Sequence, residues 1–226
     1  MPIEATDALV ALHDPRSPIA EAYRSLRTNL EFTSLDQPLH SLVVTSAGPE
    51  EGKSTTLANL AVTTAETGRK VILVDCDLRR PRLHEIFKLG NSVGLTTMAV
   101  DIGAMKQPPL QETAVPGLLV LTSGPQPPNP AELLGSRRMS EIIEQLTGMA
   151  DLVMFDTPPV IAVTDAAVLA SRVDGVLLVI SAGSTRREYV RQAKALLEKV
   201  NARVVGAVLT NVSYDATLNR YYSQER

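Results

Sequence analysis

One stretch constrains the fold more than any other. The segment 47-AGPEEGKST-55 follows a short apolar run (41–46) and precedes a helix-forming segment from about 54 to 67, stopped by Gly68. A glycine-lysine-serine turn between a strand and a helix is the relaxed form of the phosphate-loop pattern, with Ala47 in place of the first glycine. Such a turn aims backbone N–H groups and a helix N-terminus at phosphate oxygens. On that pattern Gly48, Pro49, Glu50, Glu51, Gly52, Lys53, Ser54 and Thr55 form a nucleotide-binding loop. Lys53 reaches the β and γ phosphates, the Ser54 hydroxyl sits on Mg2+, and Thr55 lies near the α phosphate. Two glutamates beside a polyanion are the anomaly. The backbone and Lys53 do the holding, so the side chains of Glu50 and Glu51 are expected to point outward. Glu50 is the less comfortable of the two, because a glycine there would tolerate any backbone angle.

The rest of the chain repeats the strand-then-helix theme. Apolar runs at 71–74, 118–121, 152–155, 176–180 and 204–211 alternate with helical segments, one of them at about 185–200. Continuous apolar strands separated by helices mark a parallel sheet covered on both faces. The fold class is therefore α/β, a three-layer, doubly wound, mostly parallel sheet. A length of 226 residues suits one such domain. The predicted divisions are a leader over 1–16, the phosphate-loop domain over 17–212, and a polar, flexible tail over 213–226 carrying Tyr214, Tyr221 and Tyr222. Ser17 caps a helix that begins at Pro18. Ile19, Tyr23, Leu26 and Leu30 form its apolar stripe, with Glu21, Arg24 and Arg27 on the opposite side. Asn129 caps another helix with Pro130 at its first position. The stretch between the second strand and Pro116 holds a short helix and is otherwise irregular.

Composition excludes several classes. A single cysteine, Cys76, rules out an internal disulfide framework and suits a reducing compartment. No apolar run approaches the ~18–20 residues needed to span a bilayer, so direct membrane insertion is not expected. A net charge of −3 argues against broad electrostatic binding of nucleic acid. His13, His40 and His84 lack metal-ligand spacing.

Acidic residues at strand ends supply the rest of the candidate site. Asp75 and Asp77 leave one strand end toward the same side. Asp156 ends another apolar strand, where a Walker B aspartate binds Mg2+ directly or through water. Ligands of open α/β sheets sit beyond the carboxyl ends of the strands, where all three acids and the loop fall. The plain alternative is that these aspartates cap the turns that follow them. Cys76, among the carboxylates, reads as a packed thiol. Asn211, at the last strand end, either contacts adenine or caps a turn. Arg79, Arg80 and Arg82 have three open roles: phosphate contact, acceptor channel or partner surface.

These motifs, in this order, resemble the bacterial protein-tyrosine kinases of capsule and exopolysaccharide biosynthesis. The phosphate loop 46-SAGPEEGKST-55, the second Walker segment 71-VILVDCDLRRP-81 and the Walker B segment 151-DLVMFDTPPV-160 carry the likeness. So do 125-PQPPNPAELL-134, 165-DAAVLA-170 and 21-EAYRSLR-27. It covers about 14–211. The resemblance implies a MinD/ParA-like phosphate-loop architecture and an ATP- and Mg2+-dependent tyrosine autokinase that regulates polysaccharide synthesis and export. Lys53, Asp75 and Asp77 would be catalytic, with Asp75 the base for the tyrosine hydroxyl. Ser54, Asp77 and Asp156 would organise Mg2+. Tyr214, Tyr221 and Tyr222 would accept phosphate from a neighbouring subunit. Glu21, Arg24 and Arg27 would form the interface of a ring-shaped homo-oligomer, or pair within their own helix. A transmembrane chain-length regulator of the polysaccharide co-polymerase type, either fused or separate, would activate the kinase and hold it, cytoplasmic, at the inner face of the membrane. Two departures stand out: Glu50, where the family usually has glycine, and a tail with few tyrosines. The competing classes are a ParA/MinD-like ATPase and a nucleotide-dependent scaffold. Against the ATPase, the early loop lysine of that class is absent, and Gly48 stands at its position.

Overall fold

The apolar runs become the strands of one sheet in a computed structural model that describes residues 8–33 and 35–212. The strands are β1 (Ser41–Ser46), β2 (Val71–Asp75), β3 (Gln111–Glu112), β4 (Leu118–Leu121), β5 (Leu152–Asp156), β6 (Gly175–Ser181) and β7 (Val204–Thr210). Their order across the sheet is β3-β4-β2-β5-β1-β6-β7. All neighbours run parallel except β3, which is antiparallel to β4. Every residue of β1, β2 and β5 is buried. Helices cover both faces of these central strands, which is why they read as unbroken apolar runs.

Side-chain alternation divides the interior into two cores. Val43, Ile72, Val74, Val153 and Phe155 face one helical layer. It is made of α5 (Leu95–Val100), α6 (Ile102–Lys106), α7 (Pro130–Gly135), α8 (Arg137–Thr147), α9 (Asp165–Ala170) and α10 (Arg187–Lys199). Leu42, Val44, Val71, Leu73 and Met154 face the other. That layer holds α1 (Val10–His13), α2 (Pro18–Thr33), α3 (Lys53–Ala65) and α4 (Leu83–Ile86). Each fully buried Leu, Val or Phe stabilises the fold by about 1.5–3 kcal/mol relative to exposure.

α3 is the best-covered helix, with every residue from Ser54 to Ala65 buried except Thr55. All-round burial means that its polar side chains need partners inside the protein. Asn59 shows how this is met. Its Oδ1 accepts from Ala11 N–H at 2.8 Å, and its Nδ2 donates to the carbonyls of Ala8 (2.6 Å) and Thr55 (2.9 Å). Residues 8–13 of the expected leader are thereby packed on α3, with Ala8, Leu9 and Ala11 buried.

Two local expectations change. The packed stripe of α2 includes the fully buried Ala20, with Tyr23, Leu26 and Leu30 half-buried, while Ile19 is 48% exposed. The helix is rotated so that Ala20 and Arg27, seven residues apart, share the inner side. Arg27 Nη1 therefore donates to the Thr63 carbonyl of α3 at 2.8 Å instead of projecting away. Asn129 holds the N-cap position of α7, but its side chain makes no cap bond; its Nδ2 donates to Glu132 Oε2 at 3.1 Å. The helix also breaks at Gly135, and Ser136 starts α8 by accepting from Met139 N–H at 3.2 Å.

Candidate active site

The loop between β1 and α3 has two residues in the left-handed region, Glu50 (φ +59°) and Gly52 (φ +85°). The expected discomfort at Glu50 is thus a measurable backbone feature, costing about 1–2 kcal/mol for a residue with a Cβ. Gly52 is the N-cap of α3, and the first helical bond runs from Thr56 N–H to its carbonyl at 2.8 Å. The N–H groups of Lys53, Ser54 and Thr55 accordingly have no partner inside the helix, the arrangement that anions use.

Glu51 departs from expectation. It is 6% exposed and turned inward, not outward. Its Oε1 accepts from Gly48 N–H at 3.0 Å and from Thr185 Oγ1 at 2.8 Å. These two donors, one in the loop and one beyond β6, hold the carboxylate in the interior.

β2 and β5 are neighbours in register, Asp75 opposite Asp156, and β1 lies on the other side of β5. This topology brings the strand-end acids to the phosphate loop. Lys53 Nζ lies 2.9 Å from Asp77 Oδ2, 3.4 Å from Asp156 Oδ1 and 3.2 Å from Ser54 Oγ. Ser54 Oγ donates to Asp156 Oδ2 at 2.5 Å. Burial works against the ammonium, but the charges of Asp156 and Asp77 outweigh it and hold the Lys53 pKa above the ordinary lysine value. For Asp156, burial raises the pKa most; the Lys53 charge and the Ser54 hydroxyl oppose it without cancelling it.

Asp75 is fully buried behind this cluster. Its Oδ2 accepts from Arg82 N–H (3.0 Å) and Leu83 N–H (2.9 Å), the start of α4. Its Oδ1 accepts a longer bond, 3.3 Å, from Asp77 N–H. Burial, and then the charge of Asp156, push its pKa from 3.8 to about 8, despite the backbone donors. Asp77 Oδ1 accepts from Arg80 N–H at 3.0 Å. Both acids thus cap the turn after β2, as the plain alternative supposed, and Asp77 also faces Lys53. Cys76 is buried between them; burial first, and the three carboxylates after it, lift its thiol well above the usual range.

The three arginines separate, and Arg80 is exposed. Arg79 makes a two-pronged ion pair with the buried Asp165 at the start of α9, at 2.9 and 3.1 Å. Arg82 pairs with Glu85 at 3.0 Å. Asn211, at φ +54°, donates through Nδ2 to Ser181 Oγ at 2.8 Å, next to Thr210, whose hydroxyl donates to the Glu51 carbonyl at 2.8 Å. Glu21 and Arg24 pair within α2 at 3.0 Å. Tyr214, Tyr221 and Tyr222 lie outside the described residues. Sequence reasoning missed Thr185, Thr210 and Asp165. Only Asp165 had a signal, in the segment 165-DAAVLA-170.

Among the described residues, no cluster of three His, Cys, Asp or Glu side chains could hold a metal unaided. The donors present are oxygens: the Ser54 hydroxyl and the carboxylates of Asp156 and Asp77. Such a set suits Mg2+, which takes one or two carboxylates and completes its shell with waters and substrate phosphates.

Comparison with known proteins agrees with this fold. A model of the CobQ/CobB/MinD/ParA nucleotide binding domain matches residues 42–225. The tyrosine-protein kinase YwqD of Bacillus subtilis (strain 168) is 47% identical over 201 residues, covering 89% of this chain and 84% of the relative. The crystal structure of the chimerical protein CapA2B2 superimposes with a TM-score of 0.87 at 37% identity, over 94% of this chain and 93% of that one. The kinase domain of the Escherichia coli tyrosine kinase ETK matches with a TM-score of 0.83 at 33% identity, over 92% and 83%. The chain belongs to the CobQ/CobB/MinD/ParA nucleotide-binding family and, within it, to the bacterial tyrosine-protein kinases.

Proposed function

We propose that the protein transfers the γ-phosphoryl group of ATP, as its Mg2+ complex, to tyrosine hydroxyls, and that Tyr214, Tyr221 and Tyr222 of a neighbouring copy are its acceptors. The observation that carries this reading is the convergence on one ammonium, Lys53 Nζ, of Asp77, Asp156 and Ser54 within 2.9–3.4 Å at the strand ends beside the loop. Ser54, Asp156 and Asp77 would hold the metal ion, which would supply positive charge against that of the phosphates. Lys53 exchanges its carboxylate partners for the β and γ phosphates. The N–H groups at the start of α3 bind the phosphate oxygens. Asn211 contacts the base.

Asp75 serves as base. Two backbone donors fix its Oδ2, and Oδ1, with one long bond, keeps a lone pair for the phenolic proton. A tyrosine hydroxyl has a pKa near ~10, so a carboxyl lifted to about 8 narrows the gap that the proton must cross, and it accepts that proton only in its ionised form, whose share grows as pH rises through about 8.

Subunits arranged as a ring through Glu21 and Arg24 would present one copy's tail to the next copy's site. A transmembrane chain-length regulator would activate the assembly at the inner membrane face and couple it to polysaccharide export. No helix among the described residues is long and apolar enough to cross a membrane. In Etk of E. coli (strain K12) the matched region is 28% of a longer chain.

Incubation of the pure protein with ATP and Mg2+, with and without a juxtamembrane activator peptide, followed by mass-spectrometric mapping, tests the reading. Phosphotyrosine on the tail is expected, and Lys53→Met should abolish it. Labelling that persists in that variant, or ATP hydrolysis with no phosphotyrosine, would overturn it.

A further inference from the structure

Glu51 is a buried charged residue to which the proposed chemistry gives no task. It lies two residues before Lys53 and is 6% exposed. Its Oε1 takes both the Gly48 N–H (3.0 Å) and the Thr185 hydroxyl (2.8 Å), while its buried Oε2 has no hydrogen-bond partner. Thr185 Oγ1 also accepts from Ser181 N–H at 3.1 Å. The end of β6 therefore holds the Glu51 side chain. The end of β7 holds its main chain, because the Thr210 hydroxyl donates to the Glu51 carbonyl. Ser181 in turn accepts from Asn211. A hydrogen-bonded path thus runs from Gly48 through Glu51 and Thr185 to Ser181 and Asn211.

We propose that Glu51 is a positioning residue for nucleotide binding: it ties the phosphate loop to the ends of β6 and β7, so that the loop is in its binding shape before nucleotide arrives. This rests on the nucleotide-binding role proposed above. The loop needs such a tie because Glu50 is held at φ +59°, a conformation that persists only where surrounding contacts enforce it. Without the tie the loop samples other shapes, and apparent affinity falls with the fraction that remains competent. The tie acts on ground state and transition state alike, so its loss appears in KM rather than kcat. One oxygen makes both bonds and the other makes none. A glutamine with its carbonyl oxygen in the Oε1 position can therefore keep both bonds without the charge.

The test is calorimetric titration of MgADP into the wild-type protein, E51A, E51Q and T185V, with KM for ATP and kcat for autophosphorylation measured in parallel. E51A should weaken MgADP binding and raise KM by about tenfold, the size of one to two lost buried hydrogen bonds. Its kcat should change by less than about threefold. E51Q should recover most of the affinity that E51A loses. T185V should lose about threefold alone and add little on top of E51A, because both remove the same tie. Wild-type affinity in E51A, equal losses in E51A and E51Q, or fully additive E51A and T185V would each overturn the proposal. If E51A does not fold, wild-type affinity in T185V does so. A wild-type protein that binds no MgADP at millimolar concentration would instead overturn the nucleotide-binding role itself.

Discussion

Asp75 and Glu50 show opposite uses of a strained residue. Asp75 is buried without a cation of its own, and the resulting shift links chemistry to stability. Its pKa is 3.8 as the ordinary value and about 8 in the fold. Between those limits the folded protein keeps a proton that the unfolded chain has lost. The contribution is therefore full below about pH 4 and is lost as pH rises through about 8. Denaturant midpoints of the nucleotide-free protein should fall from pH 5 to pH 8, and D75N should flatten that slope. The same substitution should lower kcat by roughly 10²–10⁴ while MgADP affinity changes little, because the phosphate contacts assigned to Lys53 and the loop remain. Equal losses in kcat and affinity would place Asp75 with the binding groups instead. Glu50 makes the simpler case. Glycine at φ +59° carries no Cβ penalty but gains freedom in the unfolded chain. Glu50→Gly should stabilise the protein by about 0.5–1 kcal/mol, read from thermal or denaturant unfolding, and should leave the ties to Glu51 in place.

Elements were legible where one segment carried its own signal. β1, β2, β4, β5, β6 and β7 are apolar runs, α3 ends before Gly68, and α10 fills the interval between β6 and β7. The stretch between β2 and β4 was not legible, because its elements are very short. α4 has four residues, α5 six, α6 five and β3 two, too few for a period of 3.6 or 2 to show. They are set by contact instead. The end of β4 starts α5 by accepting from Leu95 N–H (2.8 Å) and Thr96 N–H (2.9 Å) through the carbonyls of Thr122 and Ser123. Lys53, Ser54, Asp77 and Asp156 were legible for the same local reason, as motif positions. Glu51 was not, because its partners Thr185 and Thr210 are 134 and 159 residues away. The close approach of β4 to α5 makes a prediction at this scale. A Cβ on Gly94 would lie 2.1 Å from the Thr122 carbonyl oxygen and 2.4 Å from Gly124 N. Backbone cannot yield there as a side chain can, so Gly94→Ala should cost about 3 kcal/mol or more. At Gly68, φ is +86° but nothing lies within 4 Å of a Cβ. Gly68→Ala should therefore cost only the ~1–2 kcal/mol of the angle. Paired denaturation curves would separate collision from torsion.

For the whole molecule, the proposed transfer between copies requires one copy's acceptors to reach another copy's site, and α2 carries two kinds of arginine that bear on it. Arg24 pairs with Glu21 on a partly exposed face and also donates to the Pro15 carbonyl at 2.7 Å. Exposed pairs of this kind contribute ~0–1 kcal/mol to a monomer, so they are free to be used between subunits. Arg27 is committed inward, with 19% of its side chain exposed and its guanidinium on the Thr63 carbonyl. If Glu21 and Arg24 join subunits, E21A/R24A should lower the solution mass by light scattering and slow tail labelling, while the denaturation midpoint moves by about 0.5 kcal/mol or less. Arg27→Ala should instead cost about 1–3 kcal/mol of monomer stability, because it strips a charged donor from a buried carbonyl and packing from the α2–α3 contact. An assembly in trans also makes labelling depend on protein concentration, and dilution should slow the wild-type protein until it matches E21A/R24A. Labelling per molecule that is unchanged by dilution, with a mass unchanged by the double variant, would mean that transfer occurs within one chain and that the charges on α2 are only solvated.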